Sequence, residues 1–137
     1  MAIVLIIIAA VFLVALGLHS YKRIMESREA RMTDNEYNTA VTLWNYARLV
    51  KSQIDEAIHQ GTGVIDYYKI TVPHSPGYKL SLELAGNSFR IYAAPDSYNK
   101  TGRLSFYTDS TVIVRAFDRN GGHATVDDPE YAGTPSL

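Results

Sequence analysis

Cysteine is absent from the 137 residues of this chain. Disulfides, thiolate zinc sites and cysteine nucleophiles are therefore excluded, and the chain is equally at home in a reducing or an oxidising compartment. A surplus of positive charge is missing too: 13 Lys and Arg stand against 14 Asp and Glu. That balance gives no basic field to grip a phosphate backbone, so nucleic acid is not an expected partner. Proline does not occur before Pro73, and nothing in the first half forbids a long helix. The opening stretch, "MAIVLIIIAAVFLVALGL", carries no charged side chain, and no basic n-region precedes it.

Met1 to Leu18 holds only Met, Ala, Ile, Val, Leu, Phe and Gly. As a helix it reaches roughly 27 Å, enough to cross a hydrocarbon core. A secretory signal peptide needs a basic start, although Ala15-Leu16-Gly17 would pass as a small-residue cleavage site. By the positive-inside rule Lys22, Arg23, Arg28 and Arg31 would hold the C-terminal part of the chain in the cytoplasm. The Tyr-rich, strand-forming composition downstream is instead that of an exported domain. A positively charged leader, removed so that Met1 is a processed N-terminus, resolves the conflict.

The length suits one small domain with an anchor. Residues 1–20 read as an apolar membrane or filament-core helix, 21–60 as an amphipathic helix running into a head, and 61–137 as an antiparallel β head with a loop-rich tail. Tyr37, Val41, Trp44, Ala47, Val50, Ile54, Ala57 and Ile58 recur at steps of three or four, a stripe that packs on a sheet. Gly61 and Gly63 close the periodicity. Thr33 followed by Glu36 reads as a capping box, which leaves two arrangements open: one helix of about sixty residues, or a break between Ser20 and Thr33.

From Tyr68 the period falls to two. In "YKLSLELAGNSFRIYAAP" two alternating runs flank Gly86-Asn87, so a tight hairpin pairs Leu84 with Phe89, Glu83 with Arg90 and Leu82 with Ile91. A second hairpin, "LSFYT" with "TVIVRAF", turns about Asp109-Ser110, and the tail from Asn120 has little to bury. The fold class is α+β, a long N-terminal helix laid on a small antiparallel sheet. The expected head core is Tyr37, Val41, Trp44, Ile54, Leu82, Leu84, Phe89, Ile91, Phe106 and Ile113.

An apolar N-terminus continuing into an amphipathic helix, then "GYKLSLEL", "FRIYAAP" and "TGRLSFYTDSTVIVRA", resembles a bacterial type IV pilin or pseudopilin over nearly the whole chain. The matching signature positions are Gly77, Tyr78, Tyr92, Ala93, Pro95, Thr101, Gly102, Phe106, Tyr107 and Asp109. The resemblance implies cleavage of a leader by a prepilin peptidase and methylation of the new α-amino group. It also implies residence in the inner membrane before the pilus assembly machinery builds copies of the chain into an extracellular filament on the cell surface. Met1 is then the processed end, and Ala2, Leu5, Ile6, Ala9, Phe12, Leu13 and Gly17 pack inside the filament. Two departures stand out. Most members carry a glutamate where this chain has Leu5, and many have a helix-kinking proline where Tyr21 and Lys22 stand. The missing carboxylate marks either a minor, tip-like subunit or a filament that satisfies the Met1 ammonium another way.

Chemical constellations are few. His19, His59, His74 and His123 are scattered, and no Gly-x-Ser-x-Gly motif or phosphate-binding loop occurs, so an enzyme is not expected and no cofactor is called for. Asp118, Asp127, Asp128 and Glu130 are candidate oxygen ligands for calcium, but their spacing is not that of an EF-hand and a solvated turn is the ordinary reading. Asn99-Lys100-Thr101 is a glycosylation sequon. Ten Tyr, four Phe and one Trp are what strand packing uses. Two classes of function remain: a filament subunit, or a single-span envelope protein serving as a binding module or as a minor pseudopilin of a secretion system.

Overall fold

The computed structural model describes residues 2–61 and 70–134, with side chains left out at residues 2–6, 8 and 9. One helix, α1, spans Ala2–His59. Beyond it lie four strands: β1 Tyr78–Ala85, β2 Ser88–Pro95, β3 Leu104–Asp109 and β4 Arg115–Asp118. They form one antiparallel sheet in the order β1-β2-β3-β4. The protein is thus α+β, with a long N-terminal helix packed on a small sheet.

Of the two arrangements left open, the single long helix is the one formed. Neither Gly nor Pro lies between Ser20 and Thr33, and α1 continues through without interruption. At the far end Gly61 takes φ +67°, and the N–H groups of Gln60 and Gly61 reach back to the carbonyls of Glu56 and Ile58. That is the left-handed stop a glycine allows. Gly63 and the predicted onset of strand at Tyr68 lie outside the described residues.

The buried stripe of α1 is Ala40, Leu43, Tyr46, Ala47, Val50, Ile54 and Ala57, clustered with Phe89, Ile91, Ala93 and Phe106 from the sheet and with Val114 just before β4. Three residues placed in the core by sequence are displaced from it. Tyr37 is 51% exposed, Val41 is half-buried, and Trp44 only packs against the core's flank, under the Arg48 guanidinium at 4.6 Å. Ile58 is likewise exposed. At about 100° per residue, Tyr37, Val41 and Trp44 sit some 100° or more round the helix from Leu43, beyond the stripe that meets the sheet.

The first hairpin has the expected register, Leu84↔Phe89, Glu83↔Arg90 and Leu82↔Ile91, with the positive φ of the turn on Gly86, as a primed turn with glycine first requires. Leu82 and Leu84 are half-buried and pack on the core from the edge strand. The second hairpin differs from expectation. Leu104 pairs with Asp118 and Tyr107 with Arg115, so residues 110–114 form the connection and β4 begins only at Arg115. Val112 is buried with φ +63°. Val112, Val114 and Ala116 are buried in alternation, and Ile113, expected in the core, falls between them and is left half-exposed.

The tail is irregular but pinned. Ala116 N–H bonds to the Pro129 carbonyl at 3.0 Å and Tyr131 N–H to the Val114 carbonyl at 2.8 Å, which covers the outer edge of β4. Ala124 and Asp128 are buried, and the Tyr131 ring meets Phe106 edge-on at 5.4 Å.

The chain divides into two compact units, Met1–Arg31 and Met32–Leu137, with the boundary inside the segment read as amphipathic helix. The second unit contains the whole core, so a chain truncated to Met32–Leu137 is expected to melt cooperatively. One starting at Tyr37 loses buried Met32 and the hydrogen bonds of Asn35 and Glu36 to Thr101, Arg103 and Leu104. It should melt lower by about 10 °C or more, from roughly 2 kcal/mol for two stranded N–H groups and a lost apolar contact. Equal melting curves for the two truncations would remove that role for residues 32–36.

Candidate functional site

In the first unit the described apolar side chains face outward on every side. Val11, Phe12, Leu13 and Val14 are consecutive, and each is at least 62% exposed. Ile7, Val11 and Phe12 surround Ala15 and leave an apolar hollow of about 300 Å³. A methyl group at Gly17 would meet nothing within 4 Å, so no neighbour in the chain itself requires that glycine. Of the positions predicted to pack, Phe12 and Leu13 are exposed and Gly17 is open. Met1, Ala2, Leu5, Ile6 and Ala9 lie outside the residues whose side chains are described. Among the described residues no helix is long and apolar enough to cross a membrane.

In the second unit four of the signature residues, Gly77, Tyr78, Thr101 and Gly102, meet at one joint, where residues 35–39 of α1 meet the loop between β2 and β3. Glu36 Oε1 accepts from the backbone N–H groups of Arg103 (2.7 Å) and Leu104 (3.1 Å). Asn35 Nδ2 donates to the Thr101 carbonyl at 2.9 Å, and the Thr39 and Ser75 hydroxyls share a buried hydrogen bond of 2.7 Å. The Tyr78 hydroxyl donates to the Leu104 carbonyl at 2.8 Å, and burial, with Glu36 and Tyr131 nearby, raises its pKa. Gly77 takes φ +76°, and a Cβ there would lie 2.8 Å from Asn35 Nδ2. Sequence reasoning misses this use of Asn35, Glu36 and Thr39. By spacing Glu36 belongs to a capping box, but its carboxylate caps loop donors 67 and 68 residues away.

Asp109 ends β3. Its Oδ1 accepts from Thr111 N–H (2.9 Å) and Thr111 Oγ1 (2.6 Å), and its Oδ2 from the Tyr107 hydroxyl (3.0 Å). Burial opposes the charge, but these bonds outweigh it and hold the carboxyl below its ordinary pKa. Burial and then the same bond push the Tyr107 phenol up to about 12. Tyr92 meets Tyr107 at 5.5 Å and His123 at 5.2 Å, both edge-on. Tyr92, Ala93 and Pro95 line up along β2, with Ala93 opposite Leu80 and Phe106 and Pro95 opposite Tyr78. The hydroxyls of Tyr46, Ser105 and Thr108 are buried without a partner among the described residues. Tyr46 also lines a groove of about 320 Å³ with Thr42, Asn45, Leu49, Thr71 and Pro73.

The candidate calcium ligands do not gather. Asp128 is 4% exposed and ion-paired with Arg119, and it also accepts from Thr125 N–H at 2.7 Å. Asp118 accepts from the Tyr98 hydroxyl at 3.0 Å, while Asp127 and Glu130 are exposed. Among the described residues no three His, Asp or Glu side chains are grouped to hold a metal. The sequon lies on a tight turn: Asn99 has φ +61°, its side-chain oxygen accepts from Arg103 Nε at 2.8 Å, and Thr101 Oγ1 is engaged by Ser97.

Desolvation acts against the Asp128 charge, yet Arg119 and Thr125 together lower its pKa, as their counterparts do at Asp109. A carboxyl whose pKa is depressed on folding contributes stability above its unfolded value, near 3.8, and loses it as pH falls through the folded value. The head should therefore weaken below about pH 4, and Asp128→Asn should flatten that acid limb while costing about 2 kcal/mol at neutral pH. Urea melts of both proteins from pH 7 to 2 check it; parallel acid limbs would refute it.

Comparison with protein-family profiles, with curated proteins and with solved structures finds no match for this chain.

Proposed function

We propose that the protein is a structural subunit that polymerises through its N-terminal helix into an extracellular filament of the type IV pilus kind. The observation that carries this reading is the hollow among Ile7, Val11, Phe12 and Ala15, on a helix whose apolar side chains find no cover in their own unit. A depression ringed by four side chains is what accepts a knob from a neighbouring helix, and an apolar surface of this extent calls for a partner. Four signature residues of the head, Gly77, Tyr78, Thr101 and Gly102, fit the same reading, since they join helix to sheet. On this reading the chain is not an enzyme, its partners are other copies of itself, and the inner membrane holds it before assembly.

One observation favours a second reading, a single-span envelope protein. Four consecutive exposed apolar residues, Val11 to Val14, make the helix apolar all round, as a lipid-facing span requires. Electron microscopy of sheared cell-surface material from cells making the full chain separates the two. Helical filaments labelled by an antibody to the head are expected, and their absence, with the chain retained in the membrane fraction, would overturn the filament reading.

A further inference from the structure

The two units of the chain carry opposite charge. In Met1–Arg31 four basic residues, Lys22, Arg23, Arg28 and Arg31, face two acidic ones, Glu26 and Glu29. Lys22 and Glu26 are 3.8 Å apart and both well exposed, an arrangement worth little in water. In the C-terminal lobe, from Arg115 onward, Asp118, Asp127, Asp128 and Glu130 stand against two arginines, Arg115 and Arg119, and Arg115 donates to the Asp128 carbonyl at 2.9 Å. Arg119 is spent on Asp128 within the lobe, so the exposed carboxylates of Asp118, Asp127 and Glu130 set the sign of its surface.

Apolar groups match as well. Tyr21, Ile24 and Met25 are exposed on the helix, and the three- and four-residue steps from Tyr21 through Ile24 to Arg28 and Arg31 place them along one face. On the lobe Phe117 and Val126 are each about half exposed. The Arg119 guanidinium lies 5.2 Å over the Phe117 ring and is ion-paired with Asp128, which brings Phe117 to the segment that carries Val126 and Asp127. An apolar stripe fringed with arginine thus exists on one unit and an apolar patch fringed with carboxylates on the other.

We propose that the helix face Tyr21–Arg31 of one copy docks on the Phe117–Glu130 patch of a second copy. This rests on the filament reading and supplies it with a head contact that sets how copies register. Apolar contact gives the affinity, and the charges choose the partner surface and make the contact salt-sensitive.

The native chain has no cysteine, so single cysteines report cleanly. Full-length Ile24→Cys and Val126→Cys chains, carrying tags of different mass, are made in the same cells and oxidised. A disulfide joining the two different chains is expected. In parallel, Arg28→Glu with Arg31→Glu, and separately Asp127→Lys with Glu130→Lys, should each cut surface filaments about tenfold, and all four together should restore them to within about threefold. Filaments in normal number without the mixed disulfide, or without rescue, would overturn the docking while leaving the filament reading intact. A mixed disulfide in cells without filaments would uphold the docking and count against the filament. If Arg28→Glu with Arg31→Glu instead abolishes binding of the full chain to phosphatidylglycerol vesicles and no mixed disulfide forms, the basic face serves lipid headgroups and the proposal fails.

Discussion

Ala15→Asp is expected to abolish surface filaments while leaving the head fold untouched. Ala15 belongs to the hollow formed with Ile7, Val11 and Phe12, and in a bundle its position is covered by a neighbouring helix. Ile7, Val11 and Phe12, which line the hollow with Ala15, offer a carboxylate no counter-charge, and a buried, unpaired one costs several kcal/mol at each of many equivalent contacts along a polymer. Because Ala15 lies in the Met1–Arg31 unit, the cooperative melt of the head should stay within about 1 °C of the parent. Filament counts by electron microscopy and a thermal melt of the same preparation test both halves. Filaments of unchanged number and diameter would mean that Ala15 faces no neighbour and that the hollow is not a packing contact.

The second large effect is expected at Gly102. An added Cβ would lie 2.0 Å from the Tyr78 hydroxyl oxygen and 2.6 Å from its ring carbon Cζ. That phenol cannot move aside cheaply: the residue is 4% exposed, its ring stands edge-on to Phe106 at 5.7 Å, and its hydroxyl is bonded to the Leu104 carbonyl. Gly102→Ala should cost about 3 kcal/mol, the upper end for overpacking, and lower the midpoint by more than about 10 °C. Gly102→Ala combined with Tyr78→Phe should recover part of the loss, because the clashing oxygen is gone. A single variant that melted with the parent would show that the ring yields freely.

The hairpin about Gly86-Asn87 is legible in the sequence because everything that defines it is local: alternation with a period of two, a turn pair, and one buried face that fixes register. The helix is legible in existence but not in phase. Tyr37 and Trp44 satisfy a three-and-four spacing along a line beside the true stripe, and periodicity alone does not say which neighbouring line of residues meets the sheet. The end of β3 can be read from the sequence, but the start of β4 cannot, since no pattern rule places a valine in the left-handed region as Val112 is placed. The joint at Asn35 and Glu36 is out of reach for a different reason. Its partners are more than sixty residues distant, and the same pair of residue types, Thr33 with Glu36, satisfies a local capping rule that the chain does not use. The motif glycines and aromatics are visible as a signature, yet only their packing against Asn35, Tyr78 and Phe106 explains why each is that residue type.

The covering of β4 by the tail limits what the sheet can do in an assembly. Among the described residues β1 is the one strand edge left without a neighbour, because Ala116 and Val114 are already paired with Pro129 and Tyr131. A head with one open edge can join a second head edge to edge, and the pair then has no edge left to offer, so that route ends at two copies. Growth without limit needs two different surfaces that fit each other from copy to copy. Residues 129–131 therefore act as a stop on sheet-to-sheet growth, and on the filament reading open-ended polymerisation is left to the helix.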